Sequence, residues 1–124
     1  MIIDKKYVDF NGHVNNAAYL EILEAARWQL LKENNFTREY MIKMNISVVI
    51  LEINIKFLKE LKAEDSIVIH TKGLPFQKKI GSIEQAIYRD DELCSTAFFK
   101  YGFFDIQSRH LILPTEELLK FVGM

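Results

Sequence analysis

Between residues 9 and 16 the chain reads DFNGHVNN, and the apolar run AAYLEILEAAR follows at once. A carboxylate, carboxamides and an imidazole this close together can share a proton, orient a water or attack an acyl carbon. A turn and a helix cap need two or three such groups. Asn15 or Asn16 serves as an N-cap, its side-chain oxygen accepting one of the unpaired N–H groups that open a helix. Asn11-Gly12 alone suggests a two-residue hairpin turn, but a helix follows it and not a second strand, so that assignment is set aside. Asp9, Asn11 and His13 remain. At i, i+2 and i+4 leaving a strand they project to one side, beside the positive end of a helix. An oxyanion is stabilised there by unpartnered N–H groups and the helix dipole. Asp9 and His13 could also hold a metal, yet no third and fourth ligands occur at usual spacings; neither a metal nor a cofactor is expected.

The elements that must position these groups can be read from periodicity. Residues 2–8 are short and β-prone. Ala17 to Glu33 has helix-forming composition, with Leu20, Leu23, Arg27 and Leu31 near one face and Ile22, Ala25, Ala26 and Leu30 widening the apolar coverage. A helix apolar over so much of its girth is expected to be mostly buried. "TREYMIKM" reads as a short second helix capped by Thr37. From Leu51 to Phe57, Leu51, Ile53, Ile55 and Phe57 alternate with Glu52, Asn54 and Lys56, the period of a strand with one wet face. Strands are also predicted for "SIVIHTKGL", for Ile80 to Arg89 and for Glu92 to Ile106, the last with apolar residues on both faces. Pro114 is expected to open a short terminal helix. The order is strand, long helix, then four strands joined by short turns: an α+β domain with one antiparallel sheet and one mostly buried helix.

Composition narrows the function classes. A chain of 124 residues is one domain, residues 1–124. A net charge of −1 offers no basic field for nucleic acid. One cysteine, Cys94, allows no internal disulfide and fits a reducing compartment. With no leader-like N-terminus and no run of about 20 apolar residues, a cytoplasmic protein without a membrane span is expected.

The stretch D-F-N-G-H-V-N-N-A-A-Y-L-E-I-L-E-A-A-R resembles the signature of hotdog-fold acyl-CoA thioesterases of the 4-hydroxybenzoyl-CoA thioesterase type. Asp9, Gly12, Tyr19 and Arg27 fill its positions. The D-x-N-x-H-V-N-N form also resembles plant acyl-carrier-protein thioesterases. "KKIGSI", "YRDDELCSTA" and "DIQSRHLILP" carry a weaker similarity downstream. The resemblance implies a hotdog fold, a long central helix wrapped by a curved antiparallel sheet, with the active site at a subunit interface of a homodimer or dimer of dimers. It implies Asp9 as catalytic carboxylate, either nucleophile or base for water, with Asn11 and His13 as auxiliary catalytic groups. Gly12, Asn16 and Tyr19 carry over as substrate-binding positions, the backbone N–H near Asn16 polarising the thioester carbonyl. The implied substrate is an acyl thioester of coenzyme A or of a carrier protein.

Other residues invite plainer explanations. Glu24 could be a helix carboxylate of the site, or simply solvated or paired with Arg27. His70 and His110 read as surface histidines, and Cys94 as a small apolar residue. Lys78, Lys79 and Arg109 could meet coenzyme A phosphates or be merely solvated. Within the fold the competing activity is an enoyl-thioester hydratase, whose D-x-N-P-x-H motif is one residue longer and has a proline this chain lacks. A non-catalytic acyl-thioester binding domain is the alternative from another class.

Overall fold

The computed structural model describes residues 1–122, so the last two residues of the expected domain lie outside the described part. Helix α1 spans Asn16–Glu33. Its Ala, Leu and Glu content favours the helix, and Asn15 caps it by accepting the Ala18 N–H at 2.9 Å. It ends at Asn34, and Asn35 follows with φ of 69°, a left-handed residue of the kind that closes helices. Helix α2 (Arg38–Met44) is capped as expected by Thr37, whose hydroxyl accepts the Tyr40 N–H at 3.2 Å. Left-handed Asn45 then turns the chain directly into β1 (Ile46–Phe57).

Strands β2 (Val68–Gln77), β3 (Ile80–Arg89), β4 (Glu92–Asp105) and β5 (His110–Ile112) complete the sheet. Asp90 and Asp91 both have positive φ, the requirement of a tight two-residue hairpin between β3 and β4. The sheet is antiparallel in the order β1-β4-β3-β2, with β5 pairing the end of β4. Not all connections are therefore short turns: residues 58–67 carry the chain from one edge of the sheet to the other. Helix α3 (Glu116–Phe121) follows, capped by Thr115, so Pro114 lies before the cap and not in the first turn.

Several sequence expectations are corrected. Residues 2–8 form no strand: Asp4 accepts the Lys6 N–H at 2.9 Å and nucleates a 3-10 turn at Lys5–Tyr7. Only single bridges, Ile2 to Ser66 and Val8 to Val14, remain of β pairing there. Leu51 does not start the alternation of β1. It is the extra residue of a bulge between Ile50 and Glu52, which shifts the register against β4. The first strand also begins five residues earlier than its alternating pattern, and β5 was not foreseen.

Helix α1 lies on the inner face of this sheet, which is the hotdog arrangement. Ala18, Tyr19, Ile22 and Leu23 are its buried residues. Fully burying Ile22 and Leu23 contributes roughly 1.5–3 kcal/mol each. They pack with Ile87, Ala97 and Phe99 of the sheet in one core cluster. A second cluster joins Phe36 to Tyr101, Phe103 and Phe121. Within one chain the helix is covered on one side only, since Leu20 and Trp28 stay exposed. Likewise β4 has one covered face: Phe98 and Phe104, directed to the other side, are half-buried.

Candidate active site

Residues 8–15 form a small closed loop held directly ahead of α1. Val8 and Val14 make an antiparallel bridge. Inside it the Asp9 N–H donates to the His13 carbonyl (3.2 Å) and the Gly12 N–H to the Asp9 carbonyl (3.0 Å). The Asn11 N–H donates to Asp9 Oδ1 at 2.9 Å. Gly12 has φ of +85°, a left-handed conformation that glycine adopts without steric cost. The loop is thus a hairpin turn after all, with Val14 as its whole second arm. It is not an Asn-Gly two-residue turn, because the glycine closes a four-residue turn from Asp9.

Asp9, Asn11 and His13 consequently do not leave a strand, and the i, i+2, i+4 argument for their convergence fails. A turn brings them together instead. Asp9 and His13 are half-buried, while Asn11, Gly12 and Asn16 are exposed. Phe10, at the tip, is 97% exposed. The loop is tied to its surroundings by Val14 N–H to the Leu61 carbonyl (2.7 Å) and Asn15 N–H to the Tyr7 carbonyl (3.0 Å). Asn15, not Asn16, is the cap. Asn16 is the first residue of α1, and the amides of Asn16 and Ala17 precede any intrahelical acceptor. Tyr19 is buried, its ring edge-on to Phe57 at 4.8 Å, so it anchors the first turn of the helix to β1.

The remaining candidates scatter. His70 is exposed beside Tyr88, and His110 is exposed at the start of β5. Cys94 is buried at a register shift between β3 and β4. Lys78 and Lys79 lie in the β2–β3 turn, and Arg109, over the Phe104 ring at 4.9 Å, precedes β5. These three cations sit at the end of the sheet away from Leu61 and the Asp9 turn of the same chain. Glu24 is exposed, and among the described residues it forms no ion pair with Arg27. No group of three or more His, Cys, Asp or Glu that could hold a metal occurs among the described residues, nor a helix long and apolar enough to cross a membrane.

One cluster was missed in the sequence. Arg27 Nη1 donates to Gln85 Oε1 at 3.0 Å, and Gln85 Nε2 donates to the Leu23 carbonyl and to Thr71 Oγ1, each at 3.1 Å. The guanidinium lies over the Phe99 ring at 4.2 Å. Its pKa is lowered by burial, with partial compensation from the Glu24 carboxylate. The signal was available: Gln85 shares the inward phase of Ile83 and Ile87, and an amide at such a position needs partners.

A long helix on the inner face of an antiparallel sheet, with an acid-bearing turn at its N-terminus, defines the hotdog thioesterase class. Residues 4–122 match the thioesterase-like superfamily, and the chain belongs to it. It is 31% identical, over 90% of its length and 86% of the relative's, to the protein named long-chain acyl-CoA thioesterase FadM of Escherichia coli K12. The crystal structure of YbaW, a probable thioesterase from Escherichia coli, superposes with a TM-score of 0.87 at 26% identity, covering 100% of this chain and 96% of that one. The Staphylococcus aureus protein SAV2348, solved in complex with CoA, shares the fold with a TM-score of 0.91 at 15% identity, over 99% and 78% of the two chains.

Proposed function

We propose that the protein hydrolyses acyl-CoA thioesters to the free acid and the CoA thiol, with Asp9 as the carboxylate that acts on the thioester carbonyl. The observation that carries this is the hydrogen-bonded turn that presents Asp9 just ahead of the unpartnered first amides of α1. A carbonyl oxygen set against the Asn16 and Ala17 amides gains hydrogen bonds and the favourable end of the helix dipole as it becomes an oxyanion. Asp9 then either attacks the carbonyl carbon, displacing the CoA thiolate and leaving a mixed anhydride for water to cleave, or takes a proton from a water that attacks in its place. Asn11, in the same turn, helps orient that water, and the His13 imidazole passes a proton to the departing thiolate. Gly12 shapes the turn. Tyr19 fixes the helix start beneath it.

The name of the FadM relative and the CoA bound to the Staphylococcus aureus protein support coenzyme A as the carrier. We also infer a homodimer, with pairs of dimers as a further possibility of the fold, and place the site at the subunit boundary. Thiol release from a panel of acyl-CoAs and acyl-carrier proteins tests the assignment. Hydrolysis of acyl-CoA is expected; binding without release makes the chain an acyl-thioester binding domain instead. Hydration of enoyl-CoA without thiol release points to the hydratase chemistry.

A further inference from the structure

Among the described residues, one hydrogen bond joins the Asp9 turn to a part of the chain beyond α1: the Val14 N–H donates to the Leu61 carbonyl at 2.7 Å. The turn's other tie, Asn15 N–H to the Tyr7 carbonyl, stays within the N-terminal segment. Leu61 also meets the start of the helix. Burial raises the pKa of the Tyr19 phenol, and the Leu61 N–H beside its oxygen offsets part of that rise. Leu61 and Tyr19 are buried with Val14 and Ala18 in one core cluster. The placement of Asp9 and of the first α1 amides thus depends on where Leu61 sits.

Leu61 lies in residues 58–67, the crossing segment, which has no helix or strand of its own to hold it. Ahead of Leu61, the Leu58 and Lys59 N–H groups donate to the Cys94 carbonyl at 2.9 and 3.1 Å. Behind it, the Lys62 N–H donates to Asp65 Oδ2 at 2.8 Å, and Ile3 bonds to Glu64 and Asp65. Between those anchors one side chain reaches in. Arg89, the last residue of β3, donates from Nη1 to the Glu60 carbonyl at 2.8 Å and to Asp65 Oδ2 at 3.1 Å. Its Nη2 donates to Glu92 Oε1 at 3.0 Å. The guanidinium fork presents its donors in a fixed plane, so it grips both sides of Leu61 while braced on β4. Ion pairing with Asp65 and Glu92 would hold side chains alone; the bond to the Glu60 carbonyl fixes the backbone next to Leu61.

We propose that Arg89 is a positioning residue for the thioester hydrolysis: by clamping Glu60 and Asp65 it sets the Leu61 carbonyl against which the Asp9 turn is placed. It acts through Leu61 and Val14 and not on the substrate. This role rests on the Asp9 assignment made above. Reacting groups tolerate little displacement, since a shift of about 1 Å can cost roughly 10²-fold in rate. The clamp itself is a surface feature, the Arg89 side chain being 24% exposed, and such ion pairs add little to global stability. Rate should therefore suffer more than stability.

Arg89→Met keeps an aliphatic stem and removes every donor, so the fold is retained. Its kcat for acyl-CoA hydrolysis should fall about 10- to 100-fold, with KM close to wild type. Amide hydrogen exchange at Val14 should quicken while the β1–β4 ladder keeps its protection. Thr115→Ala removes the cap of α3, which packs in the other core cluster; it lowers stability without touching the clamp and should keep wild-type kcat. A wild-type kcat in Arg89→Met, or an equal loss in Thr115→Ala, overturns the proposal. So does a KM that rises at unchanged kcat, which would put Arg89 on the substrate. If the wild-type protein hydrolyses no thioester, the proposed function fails, and exchange at Val14 decides the clamp separately: faster exchange in Arg89→Met supports it, and equal exchange rejects it.

Discussion

Asp9 is held by its own turn, since Oδ1 accepts the Asn11 N–H at 2.9 Å. Asn at position 9 can make the same bond, so Asp9→Asn should keep the turn and the fold. It removes the negative charge, and turnover should fall about 10²–10⁴-fold, the range for one acid–base group. Wild-type rates from Asp9→Asn would remove Asp9 from the chemistry. Single-turnover hydrolysis in oxygen-18 water separates its two roles: a general base leaves the label in the product acid, whereas anhydride cleavage at the Asp9 carbonyl leaves it in the enzyme. At Asn16 the backbone is the proposed group. Pro is tolerated at the first helical position, and Asn15, at φ −78° and ψ 162°, already has the conformation a following proline requires. Asn16→Pro should therefore fold but lose about 10²–10³ in turnover, the worth of one oxyanion donor, while Asn16→Ala should lose little. Equal losses from the two would make the side chain the active group. The residue types of this site were legible in sequence; their geometry was not. Asp9, Asn11 and His13 announce chemistry by type alone. The bridge that gathers them is secured by the carbonyl of Leu61, a partner distant in sequence and outside any local pattern.

Local elements were legible where local rules decide. The Ile80 to Arg89 strand was placed to the residue, because period-two alternation and an Asp-Asp turn are both local. Asn15 is the same kind of case: Asn15→Ala should lower the denaturation midpoint by the equivalent of about 1 kcal/mol, the usual worth of a cap, at unchanged m-value. The bulge at Leu51 and the crossing of residues 58–67 were hidden because they depend on which strand lies alongside. Tyr101 is the element-scale feature with a pH signature. Burial pushes its phenol well above the usual tyrosine value of 10.0. The folded protein therefore keeps the proton after the unfolded chain has begun to lose it. The contribution is complete below about pH 10 and declines as pH rises beyond it, by up to roughly 1.4 kcal/mol per pH unit. Tyr19 shifts in the same direction, first through burial. Unfolding free energies measured from pH 8 to 11 should fall less steeply for Tyr101→Phe than for wild type. At neutral pH that variant should be more stable by roughly 1–3 kcal/mol, the desolvation cost of an unpaired hydroxyl. Matching slopes for the two proteins would mean that the hydroxyl is solvated.

Assembly is the scale at which one sequence says least, and the structure relocates the reason for expecting it. β4 is flanked by β1 and β3, so its edges are not the surface that awaits another strand. The unmet surface is on β1, an edge strand of 12 residues, roughly 40 Å long. Its outer row of N–H and C=O groups faces no strand among the described residues. Long apolar edges left open invite strand pairing. Ile50, Leu51, Ile53 and Phe57 of β1 are all exposed, and so are Leu20 and Trp28 on the neighbouring helix. An isolated protein rarely leaves so continuous an apolar surface in water, and an exposed tryptophan is a common anchor of interfaces. Pairing of β1 with a second β1 would close the edge, cover the open side of α1 and extend one sheet through two subunits. Sedimentation at micromolar concentration should give twice the 14.5 kDa chain mass, or four times it if dimers pair. Ile53→Lys sets a charge on that surface without touching the buried core, and should shift the protein toward monomer with loss of turnover. A wild-type monomer that hydrolyses thioesters at full rate would show that one subunit completes the site, and the placement of the site at a subunit boundary would fall with it.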